Sequence, residues 1–328
     1  MMENKEVRKI AIRAPDLIPE QIATFGAIRY LKSQYPEAFI EVICTAGMRN
    51  IFDYQVDVDK LHEIEQSKDS VLGVFPWIHN NNNLFGFDTF IDFHGGAAAA
   101  TMGIALKTAR RVAYSTSMTK PMLTHFIKAE EKSEFLDSAY LKLCSLVTES
   151  EYPQSIHAQE SKPSEKENVQ LQALGDYIFL GIRASEWGRH KDIWSKIIDD
   201  LDEISFVVFL EQDLESLEAL EYLRSKKSER FFLIEKSFAR TDLLFMNSSK
   251  GIITDSLLYG NLASFQKIKS VVLAFDLHDY PSYETYTPRP DIIVTRNNSV
   301  SVHINDEGAK VDITDSETAD LIVKVFHL

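Results

Sequence analysis

The chain has 328 residues, 45% of them hydrophobic and 26% charged, with a formal net charge of -14. This composition excludes a disordered chain or a fibrous repeat and allows a large core, and the acidic balance excludes non-specific nucleic-acid binding, which relies on Lys and Arg neutralising phosphates. No apolar run approaches the roughly 20 residues of a membrane span.

The charge is uneven. Residues 1–158 carry 16 basic and 20 acidic side chains, a balance of -4, and the remainder carries -10, so the first half is the expected partner for an anion. The opening MMENKEVRKIAIRA passes from charged residues straight into a strand-like run with no secretory h-region, so a cytoplasmic location is the expectation. Cys44 and Cys144 stand in apolar contexts far apart and read as two reduced core thiols.

In chain order, strand-like runs at RKIAIRA (8 to 14), AFIEVIC (38 to 44), SVLGVF (70 to 75), DTFIDF (88 to 93) and RVAY (111 to 114) alternate with amphipathic stretches. Residues 120 to 147 read as one long helical segment. The polar stretch HAQESKPSEKENVQ, with Pro163 at its centre, has no apolar periodicity and reads as a connector. The alternation resumes with DYIFLGI, SFVVFL, RFFLIE, GIIT, SVVLAF and DIIVT, and Asp315 or Ser316 is placed to cap a last helix striped by Leu321, Ile322, Val325 and Phe326. Strand–helix alternation predicts parallel sheets with helices on both faces. The expected organisation is a first domain over 1–158, a linker over 159–170 and a second domain over 171–328 that ends in a C-terminal helix.

Several stretches then resemble one family, the heptosyltransferase-like glycosyltransferases of family 9. KIAIRAPDLIPEQIATFGAIRYLK is similar to the family's opening strand, loop with a catalytic acid, and helix; matching backward from GAIRYLK places Glu20 at that acid, with Asp16 as the alternative on the same loop. FGFDTFIDFHGGAAAATMGIALKTARRVAYS resembles the family's "yDlvIDlqg" strand, small-residue helix and "rRiGf" strand. YIFLGIRASEWGRHKDIW and GIITDSLLYGNLASFQKIKSVVLAF resemble its second-domain segments, in the same order and at similar spacing. Departures are concentrated in the latter: Leu257 and Leu258 stand at the Gly and Pro of the family's D-T-G-P, Gly260 or Asn261 at its His, and Trp187 or Arg189 near its Lys.

The resemblance implies an α/β protein of GT-B fold, with two doubly wound Rossmann-like domains facing a central cleft. It implies transfer of a sugar, with inversion, from a nucleotide diphosphate sugar, ADP-linked among the options, to a lipid-linked or saccharide acceptor of the cell envelope, as lipopolysaccharide heptosyltransferases do. No cofactor and no metal is implied, and peripheral contact with the inner face of the inner membrane is compatible with such an acceptor. A non-catalytic relative that binds a glycan or a glycosyltransferase partner is the alternative.

Read residue by residue, Glu20 follows Pro19 and is either the general base or a first-turn acid that favours the helix dipole. Arg183, Ser185, Arg189 and Lys191 follow a strand within nine residues, where positioned cations offset a leaving diphosphate, or else form a solvated loop. By the resemblance Glu211 or Asp213 is the candidate for a ribose hydroxyl, or else a surface acid, and Asp255 and Ser256 open a helix either as a donor cradle or as plain caps. His94, before a Gly pair, is placed for acceptor binding; Lys107, Arg110 and Arg111 form the dense basic group of the first half and an expected acceptor or membrane contact.

Overall fold

The computed structural model describes residues 7, 9–81, 83–132, 135–153, 156, 165–183, 187–201, 204–211, 217–225, 230–234, 239–274, 292–296, 300–304 and 310–313. Contacts divide the chain into two compact units, Met1–His157 and Ala158–Leu328. The final helix expected around Leu321 lies outside the described residues.

The first unit runs β1 (Lys9–Arg13), α1 (Ile18–Gln34), β2 (Phe39–Thr45), α2 (Arg49–Phe52), β3 (Lys60–Ile64), α3 (Val74–Asn80), β4 (Thr89–Asp92), α4 (Gly96–Ala105), β5 (Arg110–Ser115), β6 (His125–Lys128) and α5 (Leu136–Thr148). Its strands form one parallel sheet in the order β3-β2-β1-β4-β5-β6. The central strands are apolar on both sides, with Ile10, Ile12, Ile40, Val42 and Ile91 fully buried, as a sheet covered on both faces requires. On one face Trp77, Phe90 and Met102 pack with Ile43. On the other, α1 meets α5: the Tyr30 hydroxyl lies 3.0 Å from the Thr148 hydroxyl, and the Tyr35 hydroxyl donates to the Val147 carbonyl. Both cysteines are buried and unbridged, and burial pushes the Cys44 thiol up to about 11.

Three expectations for this unit change. SVLGVF is not a strand: Val74, Trp77 and Ile78 bury at helical spacing and open α3, leaving Leu72 and Phe75 exposed. The third strand is KLHEI, whose polar alternation suits its place at the sheet edge. Residues 120 to 147 are not one helix, because Pro121 stands in a single 3-10 turn that leads into β6, and the helix starts only at Leu136.

The second unit comprises α6 (Glu165–Leu174), β7 (Tyr177–Arg183), α7 (Trp187–Asp200), β8 (Ser205–Glu211), α8 (Leu217–Ser225), β9 (Phe231–Ile234), α9 (Ala239–Ser248), β10 (Ile252–Thr254), α10 (Leu257–Gln266), β11 (Ser270–Ala274), β12 (Ile292–Arg296), β13 (Val300–Ile304) and β14 (Lys310–Ile313). The sheet order is β14-β13-β12-β11-β10-β7-β8-β9, parallel from β9 to β12 and closed by the antiparallel pair β13 and β14. The segment expected as a linker is helical from Glu165 onward, since Glu, Lys and Gln favour a helix without any apolar stripe. The hairpin β13–β14 went unread, because its short alternating runs resemble polar loops. Trp187, Ile193, Trp194, Ile197 and Ile198 bury the inner face of α7 against Ile178, Leu180 and Phe206.

Both sheets are doubly wound. From β1 the chain moves outward through β2 to β3, then returns to place β4 on the other side of β1; from β7 it moves through β8 to β9, then returns to place β10 beside β7. At each such reversal the two neighbouring strands send their following loops to opposite faces, opening a crevice at the carboxyl ends where ligands of open α/β sheets bind.

Candidate active site

The crevice of the first unit lies between β1 and β4, and the residues at those strand ends are ionisable. Arg13, the last residue of β1, pairs in register with Asp92, the last of β4. The Arg13 side chain is fully buried, and its charge is answered locally. Nη2 donates to Asp16 Oδ1 at 3.1 Å, Thr45 Oγ1 at 3.1 Å and Asp69 Oδ2 at 2.5 Å, while Nη1 donates to the Ala14 carbonyl. Thr45 closes β2 and donates to Asp16 Oδ1, and His94 Nδ1 lies 3.8 Å from the same oxygen. The loops after β1 and β3 and the end of β2 thus meet at one guanidinium, and His94, after β4, faces Asp16.

Each carboxyl group here is tuned differently. Burial alone would raise the Asp16 carboxyl, but the Thr45 hydrogen bond and the charges of His94 and Arg13 outweigh it and hold it below its ordinary value. Glu20, in the first turn of α1, is pushed up by burial and by the Asp16 charge, against the pull of Lys132. Asp92 is fully enclosed and is pushed up to about 7 by burial, although the Gly95 amide donates to Oδ1 at 2.7 Å. Gly95 and Gly96, with φ of 87° and 86°, turn the chain from Asp92 into α4 in a region of backbone space that other residues avoid. His94 is held below its ordinary value by burial and by Arg13.

Asp92 has a measurable consequence. A carboxyl raised from its unfolded value to about 7 favours the folded state while protonated. Stability is then greatest below about pH 4 as far as this group is concerned, falls by about 1.4 kcal/mol per pH unit at most as pH rises towards about 7, and is flat above. Asp92→Asn, which keeps an acceptor for Gly95, is expected to flatten that fall; urea denaturation at about pH 5 and about pH 8 measures it. Equal pH slopes in parent and variant would show that Asp92 ionises freely.

In the second unit the crevice between β7 and β10 is stitched shut by its own polar groups. Asp255, directly after β10, accepts from the Arg183 amide at 2.7 Å and from Trp194 Nε1 at 3.3 Å, and is 2% exposed. Ser256 caps α10, accepting from the Tyr259 amide, and its own amide donates to Thr254 Oγ1. Thr254 Oγ1 in turn donates to the Gly181 carbonyl at 2.6 Å. A β-carbon on Gly181 would sit 2.7 Å from that hydroxyl oxygen, so glycine is required for the strands to close.

The predicted site residues therefore separate. Asp16, Glu20 and His94 lie together at the first crevice. Arg183 ends β7 at the second, half-buried, and Lys191 follows on α7; Glu211 ends β8 in register with Arg183. Ser185 and Asp213 lie outside the described residues, as do the side chains of Arg189 and Glu211. Asp255 and Ser256, expected as donor contacts, bond to neighbouring backbone amides and, for Asp255, to the Trp194 indole. Lys107, Arg110 and Arg111, expected as an acceptor or membrane contact, lie away from the first crevice. They precede β5 or open it, at the sheet edge opposite His94, with the 10-residue α4, about 15 Å long, between. Arg110 donates to the Val147 carbonyl and pairs with Glu149, and Arg111 donates to the Met122 and Thr108 carbonyls. The two arginines tie β5 to its surroundings, and Lys107 is exposed. The sequence reading missed Arg13, Thr45, Asp69, Asp92 and Lys132, of which only Arg13 and Asp92, polar residues ending apolar strands, carried a signal.

The latch predicts its own test. Asp255→Ala orphans a buried amide and an indole N–H and is expected to cost roughly 1–3 kcal/mol, read from the urea midpoint. A change within about 0.5 kcal/mol would show that the second crevice does not depend on it.

No family model matches the chain, and no curated protein does. Solved structures do. A family 9 glycosyl transferase from Veillonella parvula superposes with a TM-score of 0.65 at 13% identity, covering 98% of both chains. The E. coli ADP-heptose lps heptosyltransferase II gives 0.62 at 16% identity over 97% of this chain and 98% of that one, and E. coli heptosyltransferase WaaC with ADP gives 0.63 at 10% over 96% and 97%. The chain has the two-domain fold of these family 9 glycosyltransferases. The match runs through both units, so the crevices described above occupy the framework on which those enzymes are built. Among the described residues no helix is long and apolar enough to cross a membrane, and no group of three or more His, Cys, Asp or Glu is arranged to hold a metal ion.

Proposed function

We propose that the protein is a glycosyltransferase that takes a nucleotide diphosphate sugar as donor and a cell-envelope saccharide as acceptor, inverting the anomeric carbon. The observation that carries the reading is Glu20: a half-buried carboxyl held above its ordinary value, beside an Asp16 held below its own, at the strand reversal of a fold shared along its whole length with sugar transferases. A base works best with a pKa near the operating pH. Glu20 meets that condition better than Asp16, whose Oδ1 already serves Arg13 and Thr45. In the step, the acceptor oxygen bonds to the anomeric carbon on the face opposite the diphosphate. The carbon–oxygen bond to the diphosphate breaks, and the hydroxyl proton passes to Glu20. Arg183, with Lys191, would meet the diphosphate charge in the second unit. The ADP of the WaaC structure makes ADP the first nucleotide to try.

A second reading, a glycan-binding relative without transferase activity, is favoured by the capped N-terminus of α10. Its Ser256 and Tyr259 amides are already bonded within the chain, and Leu257 and Leu258 follow. A thermal-shift panel of ADP, UDP and GDP decides between the two, since a ligand that binds only the native state raises its apparent stability. At least one nucleotide is expected to raise Tm, and Arg183→Ala to reduce that rise more than Glu211→Ala. No shift with any nucleotide at millimolar concentration selects the binding module.

A further inference from the structure

We propose that the crevice of the first unit selects an amine-bearing sugar and disfavours a phosphorylated or carboxylated one. The inference rests on the reading above only in placing the acceptor at this crevice. Its basis is the charge that remains after internal pairing. Arg13 is one cation answered by two carboxylates, Asp16 and Asp69, which leaves one negative charge. Glu20 and Lys132 carry opposite charges that attract, and burial and Arg13 both disfavour the charged form of His94. Asp92 adds a further part of a negative charge.

Two polar atoms inside the cluster make no hydrogen bond: Asp69 Oδ1, on a side chain 9% exposed, and Arg13 Nε, on one fully buried. Paired with Arg13 through its other oxygen, Asp69 keeps one buried acceptor unused. Asp16 is the opening to solvent, 42% exposed, with one oxygen committed to Thr45 and Arg13 and the other in no such bond. A protonated amine beside Asp16 gains a charge-assisted hydrogen bond; a phosphate there meets like charge. Lys68, next to Asp69, pairs with Glu65, while Lys120 and Lys128 follow β5 or end β6, beyond β4 from Asp16 and Asp69, and Lys120 lies over the Phe126 ring. The basic residues on which an anionic acceptor would depend, Arg110 and Arg111, are at the other edge of the sheet and occupied.

The test uses the full chain and three probes that share one ring: glucosamine, glucose and glucose 6-phosphate. Binding is followed by saturation-transfer NMR at about pH 6.5, where an amine of this kind is protonated. The expected order is glucosamine first and glucose 6-phosphate last, separated by about tenfold in affinity and narrowing with added salt. Asp16→Asn should bring the two towards equality, with circular dichroism confirming the fold. Stronger binding of glucose 6-phosphate, equal binding of all three, binding of none, or an order unchanged in Asp16→Asn overturns the proposal. ADP binding measured on the same sample keeps the two readings apart. ADP bound without an amine preference removes this inference and leaves the transferase, whereas an amine preference without nucleotide binding does the reverse.

Discussion

Arg13→Leu is expected to lower the stability of the protein by roughly 3–5 kcal/mol, more than any other single change at the first crevice. The guanidinium is fully buried and carries four local hydrogen bonds, so its loss strands Asp69 and Asp16 beside each other with no counter-charge. Folding of the first unit should then become strongly pH-dependent. Asp16, held below its ordinary value by Thr45, His94 and Arg13 in the parent, would lose the Arg13 contribution and rise. In the parent, a carboxylate with a lowered pKa supports the fold above its unfolded value and loses that support only as pH falls through the lower folded value. In Arg13→Leu that support should be missing or reversed, and acidification from neutral should stabilise the variant relative to the parent. At about 2–4 °C per kcal/mol for units of this size, the melting temperature should drop by roughly 10 °C at neutral pH. The double replacement Arg13→Leu with Asp69→Leu should recover part of the loss, because an apolar pair can substitute for a buried ion pair where a half-pair cannot. A single replacement that melts within about two degrees of the parent would mean that water already screens this cluster.

Glu20→Gln is expected to reduce sugar transfer by roughly 10²- to 10⁴-fold while nucleotide affinity stays unchanged, the usual weight of one general base. The amide keeps the side chain's size and its place in the first turn of α1 but cannot take the acceptor proton. Asp16→Asn should act differently. Its partners Arg13 and Thr45 hold it as a fixed negative charge, so the variant should alter acceptor affinity and the pH profile before it alters the chemical step. Transfer rates measured across pH separate the two, since the rising limb in the parent reports the base and should sit above the ordinary glutamate value because Glu20 is raised by burial. If transfer survives in Glu20→Gln and disappears in Asp16→Asn with acceptor binding intact, the base is Asp16.

Legibility differed between elements for physical reasons. Buried central strands read cleanly because both faces of a doubly wound sheet are covered, so IAIR, FIEVIC and FIDF are predominantly apolar, interrupted only by Arg13, Glu41 and Asp92. Edge strands did not. KLHEI and HFIK have polar side chains that water accepts, so their pairing leaves no clear hydrophobic signature, while the apolar SVLGVF carries a strand-like pattern yet leads into a helix. At the candidate site, Glu20 and Asp16 were visible through their place between a strand and a helix, and His94 through the Gly pair that follows it. Asp69 was invisible, lying 56 residues from Arg13 after a short 3-10 turn and reaching it only because β3 sits two strands from β1.

Sequence alone determined the alternation of strand and helix, and with it the two parallel α/β sheets. Apolar periodicity and helix signals are local properties, readable within a dozen residues. It also determined the total negative charge and the strand ends at which ionisable residues accumulate. Tertiary structure decided which of those charges remain available. Arg110, Arg111, Asp255 and Ser256 are as polar in sequence as Asp16 and Glu20, yet the first four are spent on carbonyls, amides and an indole across the fold. Strand order decides this: the reversal beside β1 gathers residues 13, 16, 45, 69, 92 and 94 into one crevice, while the direction of β5 sends its two arginines to the opposite edge. A charge's function depends on what lies within a few ångströms of it, and that neighbourhood is set by long-range pairing which no local window contains.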